Sequence, residues 1–496
     1  MGALTLMVQG TASSVGKSVL VTGLCRLYAR RGLRVLPFKA QNMSNNAGVT
    51  PDGGEIGRSQ INQAEACGVA PHVDMNPILL KPEADHRSQV VVLGRPWATL
   101  EAGSYYTRKV ELWNVVTAAL DRLRSRADLV IIEGAGSPAE LNLRYSDIVN
   151  MAVALYARSP VLLVGDIDRG GIFAQLLGTY DLLAPEERRL VRGFVVNKFR
   201  GDPALFADGV RILEERSGVS VLGVVPWVAD LAIAEEDAVA VEASYSYSHH
   251  GAHVDIAVIA FPRIANFDDV DPLCWEPGVR VRFVRAPSTL GNPDAIVLPG
   301  TKHTLADLAW LRETGLADAI LARAAQGCAV VGLCGGFQML ARRVSDPHGY
   351  EGGGGQSAGL RLLAAEVRFA PEKATFLVTA RVRGGLAWWT SDELLSGYEI
   401  HMGRAQVDEP LLEIHRPDGS VALDGAAADG GRIWGTHVHG IFQNDRFRRA
   451  WLRSLGWQEP PEALDARARR EAAYDRLADL LEQVLDVAAL DRIVGL

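Results

Sequence analysis

Apolar residues in the first half of the chain fall in short, nearly unbroken runs: Leu4–Val8, Arg34–Phe38, Leu129–Ile132, Val161–Val164, Phe194–Val196 and Val221–Val225. A strand covered on both faces loses the in–out alternation, so these runs predict parallel strands. The stretches between them are mostly long enough for helical crossovers, which gives a doubly wound α/β sheet. Over Glu242–His253 the pattern breaks into Ser, Tyr, His and Gly. A second alternation starts at Asp255–Phe261 and continues through Val279–Val284, Ala295–Leu298 and Ala329–Leu333, with later strands at Phe376–Val382 and Arg432–His437. Gly352–Gly355, four glycines in a row, predict a mobile loop, and the charged, Ala/Leu-rich stretch Glu462–Leu490 predicts one or two terminal helices. The expected organisation is a doubly wound parallel-sheet domain over residues 1–240, a linker over 241–253, a second α/β domain over 254–450 and a helical tail over 451–496.

Composition narrows the class without naming a chemistry. The chain has 496 residues, too many for one core, and is 48% hydrophobic and 22% charged, as soluble globular proteins are. Its formal charge of −8 argues against a nucleic-acid partner, which calls for a basic face. An acidic substrate would therefore need local Lys and Arg. The five cysteines show no paired metal spacing, and their sparse use suggests a reducing compartment. No apolar run reaches the roughly 18 residues of a membrane span. The chain opens on a strand pattern leading into a glycine loop rather than on a secretory leader, so a cytoplasmic protein is expected.

Chemistry enters first at Gly10-Thr-Ala-Ser-Ser-Val-Gly16-Lys17-Ser18, which follows the first strand and opens a helix. Backbone N–H groups of such a loop cradle phosphates, and the helix N-terminus favours their charge. Lys17 would reach the terminal phosphates and Ser18 would take Mg²⁺. The loop is one residue longer than the usual spacing, with Thr11 where the first glycine would stand. Glu133, Asp166 and Asp168 follow other strands, at the sheet edge where ligands of open α/β folds bind. A carboxylate there can hold Mg²⁺ or cap a helix. Asn197-Lys198 occupies a comparable place, either as a nucleotide-base contact or as a turn.

The second half carries Val330-Val-Gly-Leu-Cys334-Gly-Gly-Phe-Gln-Met-Leu340, an apolar run that ends at a cysteine and passes through glycines into a helix-like run. This is the layout of a nucleophile elbow. Gly332, Gly335 and Gly336 would permit the tight turn and a close substrate, and the helix N-terminus would favour the thiolate of Cys334. A small buried hydrophobe is the alternative for an isolated cysteine. About a hundred residues on, Gly435-Thr-His437-Val-His439-Gly440 offers two candidate bases on one strand face, and spacing does not choose between them.

The loop length, Glu133-Gly-Ala-Gly136 and the strand-end acids resemble dethiobiotin synthetase and its ATPase relatives, while Gly332-Leu-Cys-Gly-Gly-Phe-Gln338 resembles the class I glutamine amidotransferases. The two halves in this order resemble the cobyric acid synthase family. Phe38-Lys-Ala-Gln-Asn-Met-Ser-Asn-Asn46, Glu133–Glu140, Asp166-Ile-Asp-Arg-Gly-Gly171, Asn197–Asp202, Leu298–Lys302 and Tyr398-Glu-Ile-His401 carry that likeness over nearly the whole chain. The resemblance implies ATP-dependent amidation, with glutamine as nitrogen donor, of the b, d, e and g carboxylates of the corrinoid cobyrinic acid a,c-diamide. It also selects His439, the histidine before Gly440, as base, with His437 second. The glutamate usually found two residues after that histidine is replaced by Ile441, so a Cys–His dyad is expected.

Under that reading Cys334 attacks the amide and the oxyanion is held by backbone N–H groups of Gly335 and of Pro299-Gly300-Thr301, with Gly300 the candidate. Gly10, Gly16, Lys17, Ser18 and Asn197 would bind ATP, and Ser18, Glu133 and Asp166 would hold Mg²⁺. Lys39, Gln41, Asn42 and Asn45 are the expected substrate contacts. Asp147 orients substrate or metal, or caps the following helix, and Lys81, Arg87 and Arg95 line the substrate or lie on a solvated surface. His401 is either catalytic or a structural hydrogen-bond partner. Two rival readings stand beside this one: an amidating synthase for another carboxylate, such as the a and c positions, and a phosphate-loop ATPase switch whose amidotransferase-like half only binds.

Overall fold

The computed structural model describes residues 2–84, 87–101, 108–228, 253–460 and 465–496, so the expected linker, apart from His253, lies outside the described residues. The first domain is built on six strands: β1 (Leu4–Gly10), β2 (Val35–Phe38), β3 (Leu129–Glu133), β4 (Val161–Asp166), β5 (Val191–Phe199) and β6 (Val221–Pro226). Their order is β6-β5-β4-β1-β3-β2, every pair parallel. Successive residues point to opposite faces, and both faces are covered. Leu6 and Val8 join one core and Met7 the other, each fully buried. That is why the sequence shows unbroken apolar runs. The chain leaves β1 with β3 on one side and β4 on the other, which opens a crevice at their carboxyl ends. Helix α1 (Lys17–Arg30) starts there, and helix α2 (Arg58–Ala66) follows β2.

The second domain repeats the plan with β7 (Val254–Ile259), β8 (Val279–Val284), β9 (Ala295–Leu298), β10 (Ala329–Leu333), β11 (Ala426–Ala428) and β12 (Ile433–Thr436). Their order is β8-β7-β9-β10-β12-β11, and only β11 is antiparallel to its neighbour. Helix α3 (Gly335–Leu340) follows β10.

Among the described residues further sheets accompany these two, and only the expected strand Phe376–Val382 points to any of them. A four-stranded sheet, Gln41–Met43, Ile78–Ala84, Arg87–Val92 and Arg95–Glu101, sits between β2 and β3 in sequence. A six-stranded sheet surrounds the long antiparallel ribbon of Ala365–Val382 and Leu395–Val407. The glycine run lies in a hydrogen-bonded turn. Gly352–Gly355 all take positive φ, from 68 to 116°, which is why all four are glycine, and the Asp346 carboxylate accepts from the backbone N–H of Tyr350 and Glu351.

The helical tail returns to the first domain. Helices α4 (Ala466–Val484) and α5 (Val487–Val494) place Leu477, Leu481, Leu485, Val487, Leu490 and Val494 in the core that also holds Leu6, Val8 and Leu24. Burial of six aliphatic side chains stabilises the fold by on the order of 10 kcal/mol. Gly23 of α1 makes this approach possible, because a Cβ there would lie 2.4 Å from Leu481 and 2.8 Å from Leu477.

Candidate active site

Strand register brings the nucleotide-site candidates to one edge, with Val8 beside Glu133, Gly10 beside Val164 and Asp166 beside Asn197. The loop closes on Gly16, at φ 96°, and Asn197 Nδ2 donates to Val15 O at 2.8 Å. Lys17 Nζ bridges Ala12 O at 2.9 Å and Gly136 O at 3.1 Å. Ser18 Oγ donates to Glu133 Oε1 at 2.8 Å. These adjacent hydroxyl and carboxylate oxygens are the donors a hard cation prefers. Among the described residues no three His, Cys, Asp or Glu side chains gather as a metal cluster, so Mg²⁺ would be completed by phosphate and water oxygens. Asp166, at the end of β4, lies 3.0 Å from Lys198 Nζ, which also reaches Ser14 O at 2.6 Å.

Four expected substrate contacts diverge. Lys39 is buried, and its ammonium lies 2.8 Å from Glu133 Oε1, inside the nucleotide site. Gln41 is half-buried next to it, whereas the buried Asn42 donates to Gln60 at 2.9 Å and Asn45 faces Pro82 O at 3.4 Å. Asp147 accepts from the N–H groups of Val149, Asn150 and Ala152, which is a cap's geometry. Lys81 is buried against Glu55 at 2.5 Å, while Arg87 pairs with Glu83 and Arg95 is exposed.

In the second domain the pairings of Leu298 with Gly332 and Leu333 with Thr436 bring Cys334, Gly300 and His439 together at the carboxyl edge. Cys334 itself takes the strained conformation, φ 49° and ψ −109°, expected at an elbow. Its glycines serve another purpose than positive φ. A Cβ on Gly332 would lie 2.6 Å from Phe337 backbone, on Gly335 2.6 Å from Thr301, and on Gly336 1.9 Å from Leu298 O. They let three backbones meet beneath the cysteine.

The expected dyad gains a third member. Cys334 lines one pocket with His439, whose Nδ1 lies 2.6 Å from Asp269 Oδ2, while the Cys334 thiol faces Ile400 O at 3.8 Å. Asp269 Oδ1 accepts from Gly440 N at 2.7 Å. Asp269 comes from the short helical turn Phe267–Val270, after β7, and is 170 residues away in sequence. Burial opposes a charge on His439, but Asp269 and the Cys334 sulfur outweigh it and push the imidazole up to about 10. The Tyr398 ring stacks on His439 at 5.2 Å and 16°. His437 points elsewhere. Its Nδ1 meets Asp424 at 2.6 Å, its Nε2 meets the Gln338 amide at 3.1 Å, and its ring stacks on His401. His401 in turn contacts Gly403 O and Glu399.

The pocket over Cys334 is charged at its rim. Burial pushes the Glu351 carboxyl up to about 8, and it accepts from Thr304 N at 2.6 Å. Lys302, Lys373 and, from the first domain, Lys81 also line it. Burial lowers the Lys373 ammonium to about 8 although Glu55 lies 2.5 Å away.

His439→Ala is expected to slow glutamine hydrolysis by about 10³-fold or more, Asp269→Asn by about 10²- to 10⁴-fold, and His437→Ala by less than about tenfold. Initial rates of glutamate release check this order. A larger loss for His437→Ala would transfer the base role to His437.

Residues 6–241 match the CobQ/CobB/MinD/ParA nucleotide binding domain, and residues 255–447 match the CobB/CobQ-like glutamine amidotransferase domain. Full-length relatives are similar throughout. The chain is 56% identical to the cobyric acid synthase of Chloroflexus aggregans over 100% of both chains, and 57% identical to that of Roseiflexus castenholzii over 94% of both. A cobyric acid synthase of Dehalococcoides mccartyi is 48% identical over 97% of this chain and 96% of its own. The chain is a glutamine-dependent amidotransferase and belongs to the cobyric acid synthase family.

Proposed function

We propose that the chain converts (adenosyl)cobyrinic acid a,c-diamide to (adenosyl)cobyric acid in cobalamin biosynthesis by amidating its b, d, e and g carboxylates, with ATP and glutamine. Residues 1–240 act as the synthetase and 254–450 as the glutaminase, joined through 241–253, and in the tail 451–496 it is α4 and α5 that close the first core. The observation that supports this most is the pairing, in one chain, of Cys334–His439–Asp269 with Lys17–Ser18–Glu133, with Lys81 of the synthetase half lining the glutamine pocket.

Cys334 passes its thiol proton to His439 and its Sγ attacks the glutamine amide carbon, and the oxyanion turns toward the N–H groups of Gly335 and Gly300. His439 gives its proton to the departing nitrogen, ammonia leaves, and water cleaves the thioester to glutamate. A raised imidazole held by Asp269 suits that donation. The amino-acid end of glutamine is a zwitterion: Lys302 and Lys373 line the pocket for its carboxylate, and Glu351, held neutral by burial, can ionise against its ammonium.

In the synthetase half the corrinoid carboxylate takes the terminal phosphoryl group of ATP, and ammonia displaces phosphate from the acyl phosphate. Lys17 neutralises the transferring group, and Ser18 and Glu133 would hold Mg²⁺, which supplies further neutralisation. Lys39 and Gln41 meet the acceptor at the crevice. None of the described helices is long and apolar enough to cross a membrane, and the reading carries a cytoplasmic location.

Incubation of cobyrinic acid a,c-diamide with enzyme, ATP, Mg²⁺ and glutamine should give successive mass decreases of about one unit, each an OH replaced by NH₂. Mass spectrometry reads this directly. An unchanged corrinoid, with turnover on an unrelated carboxylic acid, would refute the substrate and leave the chemistry standing.

A further inference from the structure

Helix α2 touches both active sites. At its first residue, the Arg58 guanidinium lies 2.9 Å from Asp268 Oδ2, donates to the Tyr398 hydroxyl, and covers the Tyr398 ring at 5.2 Å. Both partners lead to His439. Asp268 is adjacent to Asp269, which holds the imidazole, and Tyr398 stacks on that imidazole. Tyr398 and His439 also exchange backbone hydrogen bonds, at 3.1 and 2.9 Å. Five residues along the same helix, Gln63 Nε2 donates to Glu133 Oε2 at 2.6 Å. The other oxygen of Glu133 accepts from Ser18 and Lys39. Gln63 and Glu133 are buried, and the Arg58 side chain is 14% exposed.

We propose that α2 carries the state of the nucleotide site to the glutamine-hydrolysing centre, with Arg58 as the positioning residue for His439. The inference rests on His439 being the base. A helix shifts as a unit, and positions 58 and 63 are only about 8 Å apart along its axis. When phosphate and cation enter the Lys17–Ser18–Glu133 site, Ser18 and Glu133 turn toward them and the Gln63 bond must rearrange. Gln63 is fully enclosed, so its helix follows. Arg58 then moves against Asp268 and Tyr398, and His439 is reoriented over Cys334. The consequence is that glutamine is hydrolysed fastest when an acceptor is being activated.

The test uses the full-length chain and two measurements. Glutamate release is compared with and without ATP, Mg²⁺ and cobyrinic acid a,c-diamide, and amidation is measured with free ammonia. The parent should show about tenfold stimulation of hydrolysis, within the usual range of coupling between sites. Arg58→Gln should bring that ratio to about 1 through kcat rather than KM, with ammonia-dependent amidation within about twofold of the parent. Tyr398→Phe, which keeps the ring and loses the hydroxyl, should lower the ratio, and Arg58→Lys should restore part of it. The proposal is overturned if the parent shows no stimulation, if Arg58→Gln keeps the parental ratio, or if it loses ammonia-dependent synthesis equally. Should Arg58→Gln fail to fold, Tyr398→Phe is read by the same criteria. His439→Ala separates the two readings: if it abolishes hydrolysis while Arg58→Gln keeps the ratio, the base stands and the coupling falls.

Discussion

Cys334→Ala is expected to lower glutamine-dependent amidation by about 10⁴-fold or more and to leave amidation with free ammonia near the parental rate. Without the thiol no thioester forms, and neither His439 nor the backbone donors can replace the lost bond. The side chain is 8% exposed beneath the pocket, so alanine removes a sulfur without opening the core. Cys334→Ser should behave alike, because the positive φ constrains both residues equally. Product formation with each nitrogen donor, measured on one preparation, checks the result. Equal loss with both donors would end the division of labour between the halves.

The second large effect is expected at Lys17. Its ammonium is buried and contacts two backbone carbonyls, Ala12 O and Gly136 O, so it is held where phosphate oxygens would arrive. Lys17→Ala should reduce amidation by about 10³-fold or more with glutamine and with ammonia alike, since no acyl phosphate forms. Glutamine hydrolysis without ATP should persist. Ammonia-dependent synthesis retained in this variant would remove the loop from the mechanism.

The parts legible in the sequence were those encoded locally. A buried parallel strand, a glycine loop and a helix start are written within about twenty residues, which is why β1, the Lys17 loop and the Cys334 elbow could be read directly. Asp269 could not, because its partner is 170 residues away and nothing near Phe267–Val270 announces a catalytic acid. Asp269 stands beyond both the end of β7 at Ile259 and the short strand Ile264–Ala265, so the strand-end rule that singled out Glu133 did not reach it. Lys39 was read as a cation for an acidic substrate, and charge alone cannot distinguish that from its observed bond to Glu133. Of the added sheets only the strand Phe376–Val382 was read, since most of their strands mix exposed and buried positions or carry bulges, as between Phe369 and Ala374. Arg58 and Gln63 escaped because periodicity describes one helix and not the two sites it spans.

The docking of α4 on α1 also constrains how the chain is made. Arg26 and its partner Asp475 are separated by 449 residues, and Leu481 and Leu490 lie in the same core as Leu6 and Leu24. A ribosome adding about 5–20 residues per second needs roughly 20–90 s to travel from α1 to α4. For that interval the side of α1 that meets α4 has no cover, and it stays so after Pro226 completes the last strand of its own sheet. The nucleotide-binding half, first to leave the ribosome, is thus among the last to close. A truncated product ending before Ala466 keeps the face permanently open and is a natural target for aggregation or proteolysis.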